Sequence, residues 1–323
     1  MVMEMKILII NQFFYPDIAA TAQLMTDLTE DLAAKNADIT VLTSNSNYLG
    51  GKIDLSKNGH FLAAKIIRVN SLSFGRKYVL GRVLDYLSFL VMILGRALFL
   101  PRHDIVLALT TPPLAAGVGL VLKSVKRSKV VCLVEDLYPD TAIALGVLGE
   151  KSIIVTATEK ISRFIYRCAD CVVAISGNMK RKLIDKGIDE NKITVIDNWA
   201  DRRLIYPISK KKNWFIEMHR MNDKFVVQYS GNMGLGHDFD TFLNGLARLQ
   251  AFDDIRFLFV GDGPRKEDIM TFKKSHSLNN LTCIPYQDRK DLAFSIGAGD
   301  VSLISLRKSL DGCIVPSKLY GIM

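Results

Sequence analysis

The chain has few of the residues that cross-link a small fold or assemble a metal centre. Its 323 residues include five cysteines, Cys132, Cys168, Cys171, Cys283 and Cys313. An odd number, widely scattered, argues against a disulfide framework and for a reducing compartment. Cys168-Ala-Asp-Cys171 is formally CxxC, but no second pair follows at zinc spacing. The five histidines show neither HExxH nor any other ligand spacing. GxxxxGK[ST] is absent, which excludes a P-loop NTPase. GxGxxG is absent too, and the first βα turn, residues 11–17, contains no glycine, which weakens a nicotinamide enzyme. There is no solenoid-length repeat and no low-complexity segment. The opening MVMEMKILIINQFF is not a signal peptide: Glu4 and Lys6 precede an apolar run too short for one, and it reads as a first strand.

What is present is an ordinary globular composition with an excess of positive charge. Hydrophobic residues make up 49% and charged ones 23%, close to soluble averages. The length suits two domains. Forty-two basic against 33 acidic residues leave a net +9, a surface that favours nucleic acid, nucleotide phosphates or an anionic membrane. No basic stripe interleaved with aromatics appears, so nucleic acid is set aside.

Strand-like apolar runs alternate with helix-like periodic ones. Residues 6–11, 39–42, 66–69, 105–109, 130–134, 171–175 and 193–196 read as strands. Residues 21–34, with Leu24, Leu28 and Leu32 at four-residue spacing, read as a helix, as do 114–125, 153–169 and 176–186, the last capped by Ser176. Residues 45–62 read as a loop. Residues 201–224 break the pattern, and a second series follows: strands at 225–229, 256–260, 281–284 and 301–306, helices at 239–249, 265–274 and 289–296. The expectation is α/β, two tandem doubly wound Rossmann-like domains: an acceptor-side domain at 1–201, a connection at 202–224 and a second domain at 225–323. The second series is short and stops as a helix starts near Lys318, so the second domain is expected to be incomplete and the chain truncated.

The segment 79–100, VLGRVLDYLSFLVMILGRALFL, is interrupted by Arg82, Asp85 and Arg96 and is too short between charges to span a bilayer. It reads either as a buried helix or as one lying in a membrane interface, where Arg76, Lys77, Arg82, Arg96 and Arg102 suit anionic headgroups.

Three loops carry chemistry. Residues 230–237, SGNMGLGH, lie between a strand and a helix. Three glycines admit close backbone approach, and the helix N-terminus behind them suits a diphosphate; the bland alternative is a tight turn. Gly261-Asp262-Gly263-Pro264 lies at the carboxyl end of the next strand, the ligand edge of an open sheet. Asp238-Phe239-Asp240 has the form of a DxD metal motif, but at a helix start it reads as capping. Glu135-Asp136-Leu137-Tyr138-Pro139-Asp140 gathers three carboxylates at a strand end. There one could orient an acceptor hydroxyl or take its proton, or the segment is a solvated loop with an N-cap.

As an ordered set these residues resemble glycosyltransferase family 4 of the GT-B fold, and within it the bacterial enzymes of capsule, colanic acid and O-antigen assembly. The matching motifs are Ala174-Ile175-Ser176-Gly177-Asn178-Met179-Lys180 with Asn198-Trp199-Ala200-Asp201, Tyr229-Ser230-Gly231-Asn232-Met233-Gly234, the 261–264 GDGP, Ala298-Gly299-Asp300-Val301, Pro316-Ser317-Lys318-Leu319-Tyr320, and the 135–140 segment. The resemblance implies two domains facing a cleft, a nucleotide-sugar donor (UDP- or GDP-linked) in the second and a saccharide acceptor in the first. Transfer would retain anomeric configuration, with no cofactor and no required metal. By front-face substitution the leaving phosphate takes the acceptor proton.

Carried over residue by residue, Gly231, Asn232, Gly234 and His237 face the donor, with Pro316, Ser317 and Lys318 beside the diphosphate. Asp262, Gly263 and Tyr286 lie near the nucleoside. Asp136 and Lys318 are the catalytic candidates, and Asp17, Thr21, Glu135 and Tyr138 the acceptor-side ones. The resemblance further implies a lipid-linked oligosaccharide acceptor at the inner face of the cytoplasmic membrane. The chain departs from the family where its E-x7-E glutamates would stand, at Cys313 and Gly321, and has Ala19-Ala20 where a glycine pair is frequent. A degenerate nucleotide-sugar-binding relative without catalysis is therefore the competing reading. A GT-B epimerase would need an acid and a base flanking the sugar, and no such set is visible.

Overall fold

Isoleucine, valine and leucine fill the first strand, β1 (Lys6–Ile10), and Ile7 to Ile10 are all buried. Strands apolar on both faces belong to parallel sheets covered by helices, and that is the architecture. The computed structural model describes residues 5–48, 51–53, 59–61, 63–74 and 79–323. It separates into two compact units, Met1–Asp197 with Gly312–Val315, and Asn198–Asp311 with Pro316–Met323.

In the first unit β1 is followed by α1 (Ala20–Ala34), β2 (Asp38–Ser44), β3 (Gly59–Phe61) and β4 (Ala64–Val69). Next come α2 (Val79–Leu98), β5 (Ile105–Leu109), α3 (Ala116–Lys126) and β6 (Lys129–Val134). The unit continues through α4 (Asp140–Ala144), α5 (Ile153–Cys168), β7 (Cys171–Ala174), α6 (Gly177–Asp185) and β8 (Ile193–Val195). Among the described residues the sheet order is β3-β4-β2-β1-β5-β6-β7-β8, parallel except for β3. The order reverses at β1, so ligand-facing loops are expected beyond the carboxyl ends of β1 and β5.

Two local readings are met closely. Ser176 caps α6 by accepting from the Met179 amide at 3.1 Å. α1 forms as expected, with Leu24 buried and Leu28 and Leu32 half-buried. The loop reading of 45–62 is corrected in part, because Gly59 and Phe61 pair antiparallel with Ile66 and Ala64. Nothing in three residues of sequence announces an edge strand; the partner strand supplies its hydrogen bonds.

The second unit contains α7 (Trp214–Met218), β9 (Phe225–Ser230), α8 (Phe239–Arg248), β10 (Ile255–Val260), α9 (Lys266–Ser275), β11 (Leu281–Ile284), α10 (Leu292–Ile296), β12 (Val301–Ser302) and α11 (Lys318–Ile322). Its parallel sheet runs β11-β10-β9-β12. One face is packed by Tyr229, Phe239, Leu243, Phe257 and Phe259. The other face holds Val226, Leu258 and Val260 against Phe215, Ile216 and Met221. Part of the stretch expected as a connection is thus core: α7 contributes Phe215 and Ile216, and Met221 follows it. The expected strand at 301–306 is also cut short. Leu303 still donates to Gln228 O (2.6 Å), and then the backbone turns away to hold a neighbouring loop.

The 79–100 run is a helix with Phe89, Ile93 and Ala97 buried and Leu87 and Val91 exposed. No helix of the described residues is long and apolar enough to cross a membrane. Arg76, Lys77 and the Arg82 side chain lie outside the described residues.

Candidate functional site

The glycine loop expected to bind a diphosphate, 230–237, interlocks with the 261–264 loop at the carboxyl ends of β9 and β10. Gly231 and Gly261 stand back to back, with φ of 125° and 136°. A Cβ on Gly261 would lie 2.1 Å from the Gly231 carbonyl oxygen, and one on Gly263 would lie 2.6 Å from both Asn232 Oδ1 and Met233 O. Only glycine fits where two backbones meet this closely. Met233 N donates to Asp262 O at 2.8 Å, and Arg265 N returns a bond to Met233 O at 3.0 Å. Tyr229 Oη donates to Asn232 O at 2.6 Å. These bonds make a rigid backbone cradle around Gly231, Asn232 and Gly234.

Lys318, at the start of α11, reaches this cradle. Its Nζ sits 3.5 Å from the centroid of the Tyr229 ring, and its Cε is 3.3 Å from where a Gly231 Cβ would be. The Nζ is buried and, among the described residues, has no hydrogen-bond partner. An ammonium over an aromatic face gains some attraction. Burial outweighs it and holds the pKa down to about 7. A buried cation without an anion is costly; the arrangement is suited to receive one. Pro316 and the exposed Ser317 precede it, and Ser317 makes no side-chain cap.

His237 is fixed by its neighbours. Its Nδ1 lies 2.6 Å from Ser305 O, so that nitrogen carries the proton and donates. Burial, with Lys318 nearby, lowers its pKa to about 4, leaving a neutral ring. Arg307 N donates to Gly236 O at 2.9 Å, which brings a second cationic residue to the loop. This is where the chain goes after β12 ends.

One sequence expectation needs correction. The α8 N-terminus was expected to offer open N–H groups to a ligand. Instead Asp238 caps it, accepting from Thr241 N at 3.2 Å and from Thr241 Oγ1 at 2.6 Å. The capping reading of Asp238-Phe239-Asp240 is the one that stands, and Asp240 pairs with Arg265 at 2.7 Å. Asp262, expected beside a nucleoside, has its carboxylate engaged locally. It accepts from Gly263 N at 2.8 Å and from Lys266 at 2.7 Å, and the Lys266 bond is the main reason its pKa is lowered. Tyr286 Oη donates to Asp262 O at 3.3 Å, so Asp262, Gly263 and Tyr286 do come together.

In the first unit, Glu135 and Asp136 follow β6. Thr110 Oγ1 accepts from both their amides at 3.2 Å, and Thr111 Oγ1 donates to Asp136 Oδ2 at 3.4 Å. Leu137 N donates to Cys313 O at 2.9 Å within this unit. Asp140 is tied to Lys186 at 2.7 Å, so of the three carboxylates it is structural. Glu135 is buried and Asp136 half-buried. Asp17 is a loop organiser: its oxygens accept from Ala19 N at 3.0 Å and Tyr48 N at 2.7 Å. Thr21 lies in the first turn of α1, and its carbonyl accepts from Asn11 Nδ2 at 3.3 Å. Tyr138 is half-buried just before α4. Asp17 and Thr21 share the β1 edge; Glu135, Asp136 and Tyr138 share the β6 edge.

Sequence reasoning missed Tyr229 as the floor beneath Lys318, and Ser305, Arg307, Thr110 and Lys266 as supports. Tyr229 carried a signal, as the last inward residue of a strand before a glycine loop. Ser305, Arg307 and Thr110 act across tens of residues and carried none; Lys266 stands only four residues from Asp262, where the same carboxylate also suits a ligand.

The model of the family described as Glycosyltransferase Family 4 matches residues 21–204. The glycosyltransferase WbjE of Pseudomonas aeruginosa is 30% identical over 248 residues, 76% of this chain and 60% of that protein. The chain therefore spans 60% of that relative's length. The colanic acid biosynthesis glycosyltransferase WcaI of Escherichia coli K12 is 22% identical, covering 99% of this chain and 81% of its own. The crystal structure of Anabaena Alr3699/HepE with UDP and glucose superposes with a TM-score of 0.66 at 15% identity, over 93% of this chain and 73% of that one. This likeness is one of fold, and the fold is GT-B. With the glycine cradle, Lys318 and the family match over more than half its length, the chain belongs to glycosyltransferase family 4.

Proposed function

We propose that the protein is a retaining glycosyltransferase of bacterial surface polysaccharide assembly, moving a sugar from a nucleotide-sugar donor to a lipid-linked saccharide. The observation that carries this is the unpaired, buried Lys318 Nζ beside the Gly231 backbone. A diphosphate in the cradle would give that nitrogen its missing anion, and the amides of Asn232 and Gly234 would add neutral donors, the Gly231 amide being held by Val260 O at 2.9 Å. His237, neutral and held through its Nδ1–H by Ser305, lines the same loop beside Gly234 without adding a donor. Preorganised donors at a leaving diphosphate stabilise the charge that develops as the glycosidic bond breaks. In front-face substitution the departing phosphate oxygen takes the acceptor proton, so no metal and no separate base is required. Asp136, steadied by Thr110 and Thr111, is assigned to orient the acceptor hydroxyl, with Glu135 and Tyr138 beside it and Asp17 and Thr21 shaping the β1 loop. The acceptor's lipid places the protein peripherally on the anionic inner face of the cytoplasmic membrane.

UDP is the favoured carrier over GDP, because the structural neighbour from Anabaena was solved with UDP and glucose. Thermal-shift titration with UDP, GDP and their sugar conjugates tests this. A ligand that binds only the folded form raises Tm as its concentration passes Kd. A rise with UDP that disappears in Lys318→Ala is expected; no rise with any nucleotide from a cooperatively folding sample removes the donor site. Cys313 and Gly321, standing where the family's glutamates would be, support the second reading, a nucleotide-sugar binder without catalysis. A UDP-sugar shift without transfer to any lipid-linked acceptor would select it.

A further inference from the structure

Three lysines in and just past α6 meet different partners. Lys180 pairs with Glu190 at 2.9 Å, and Lys186 pairs with Asp140 at 2.7 Å. Lys182, between them, donates instead to the Cys313 sulfur, with Nζ 3.2 Å from Sγ. Among the described residues it has no carboxylate partner and no oxygen acceptor. The two residues lie far apart in the chain, and both belong to the first unit. Of the five cysteines, Cys313 is the one that has an amine at hydrogen-bond distance among the described residues. Cys132 lies buried within β6, and Cys171 faces the Thr194 hydroxyl.

The backbone holds this pair together. Gly312 has φ of 70°, and a Cβ there would lie 3.1 Å from both Asn178 O and Lys182 Cε, so the segment 312–315 lies directly on α6. Leu137 N donates to Cys313 O at 2.9 Å, which fixes the segment a second time. Cys313 is 1% exposed and Lys182 is half-buried, so the thiol has little freedom to find another partner. Burial pushes the thiol pKa up, and Lys182 is the main influence that pulls it back. The amine therefore favours the thiolate, the form that oxidants attack.

A thiol and an amine held at this separation can be joined through one oxygen atom. An S–O–N link closes the gap with less movement than the shorter direct S–N bond. We propose that Lys182 and Cys313 are a modification site, cross-linked as Sγ–O–Nζ by hydrogen peroxide. Two peroxide molecules are consumed. Each loses its O–O bond and takes up two electrons, one pair coming from the sulfur and one from the nitrogen. One of the four peroxide oxygens stays as the bridge, and three leave as water together with the thiol proton and one proton of the neutral amine. The reverse reaction needs four electrons, which two molecules of a dithiol supply. In the reducing compartment that scattered cysteines suggest, the link is a reversible mark of oxidant that fastens segment 312–315 to α6. The reaction requires neither sugar donor nor acceptor, so it stands or falls apart from the transfer activity.

The test is peptide mapping of the folded, reduced chain after brief exposure to hydrogen peroxide. Expected is a peptide pair joined through Lys182 and Cys313, about 14 Da heavier than the two peptides summed and released by dithiothreitol. The pair should be absent from Cys313→Ser, and from Lys182→Arg, which keeps the cation but has no amine to oxidise. The exposed Met218 and Met323 report that peroxide acted, by turning to sulfoxides in every sample. Peroxide should also raise the Tm of wild type relative to Lys182→Arg treated in the same way, because a cross-link restricts the unfolded chain; an equal Tm refutes the fastening. Cys313 left unmodified while both methionines are oxidised overturns the proposal. So does Cys313 carried to sulfinic or sulfonic acid, or into a disulfide, with no joined peptide. A joined pair about 2 Da lighter than the sum, which is a direct S–N bond, overturns it too.

Discussion

Lys318 should betray its surroundings through pH. In the folded chain its pKa is about 7, against an ordinary value of 10.5. Between those values the unfolded chain holds a proton that the folded chain has released, so stability rises with pH across that window. The Tm of wild type minus that of Lys318→Met is therefore expected to grow from pH 7 to pH 9. A flat difference would mean that the ammonium stays charged. UDP binding should reverse the shift and take up a proton, seen as a buffer-dependent heat in calorimetry near pH 8. Asp170 behaves in the opposite sense. Burial alone would raise it, but the bonds from Lys123, the Val130 amide and Lys129 together hold it at about 2. Its stabilisation is present above pH 4 and is lost as pH falls towards 2, and Asp170→Asn should flatten that part of the acid unfolding curve. At this scale the sequence was uneven. Lys318 was legible through its motif, and Asp238 through its place at a helix start. That Asp262 holds its own loop through Lys266 was not legible, because the same carboxylate suits either a ligand or a lysine four residues on.

The site is made by elements whose ends meet. The turns after β9 and β10 are each plausible alone as tight turns, and it is their interlocking that excludes any side chain at Gly261. Gly261→Ala has no room for its Cβ, 2.1 Å from the Gly231 oxygen. It is expected to cost about 3 kcal/mol or more and to abolish the UDP shift. Asp238→Ala should cost only about 1 kcal/mol, as a lost N-cap, and keep the UDP shift, because Asp238 caps α8 rather than binding the donor. Chemical denaturation of both variants with and without UDP checks the pair. Strands and long helices were readable because burial on both faces enforces apolar runs and the helical period enforces spacing. The ends were not. β12 stops after Ser302 because the following residues bond to Gly236 and His237, and β3 exists because β4 offers it an edge.

On the scale of the whole molecule, each unit carries its own sheet and its own core, so their responses can be read apart. UDP should slow amide exchange in residues 231–237, 261–265 and 305–307 of the second unit while leaving β5 and β6 of the first unchanged. Hydrogen-exchange mass spectrometry at saturating UDP measures this, and protection spread evenly over both units would contradict it. The alternation of strands and helices, the parallel sheets, the glycine loops and the family were determined by the sequence itself, because periodic burial and backbone-permissive glycine leave local marks. Tertiary structure alone decided that Phe215, Ile216 and Met221 are core rather than linker, and that Tyr229 lies under Lys318. It also decided that α2 turns Phe89 inward and leaves Val91 to solvent. Each of these depends on which side of a packed layer a residue faces or on a partner far along the chain, and no local pattern encodes that.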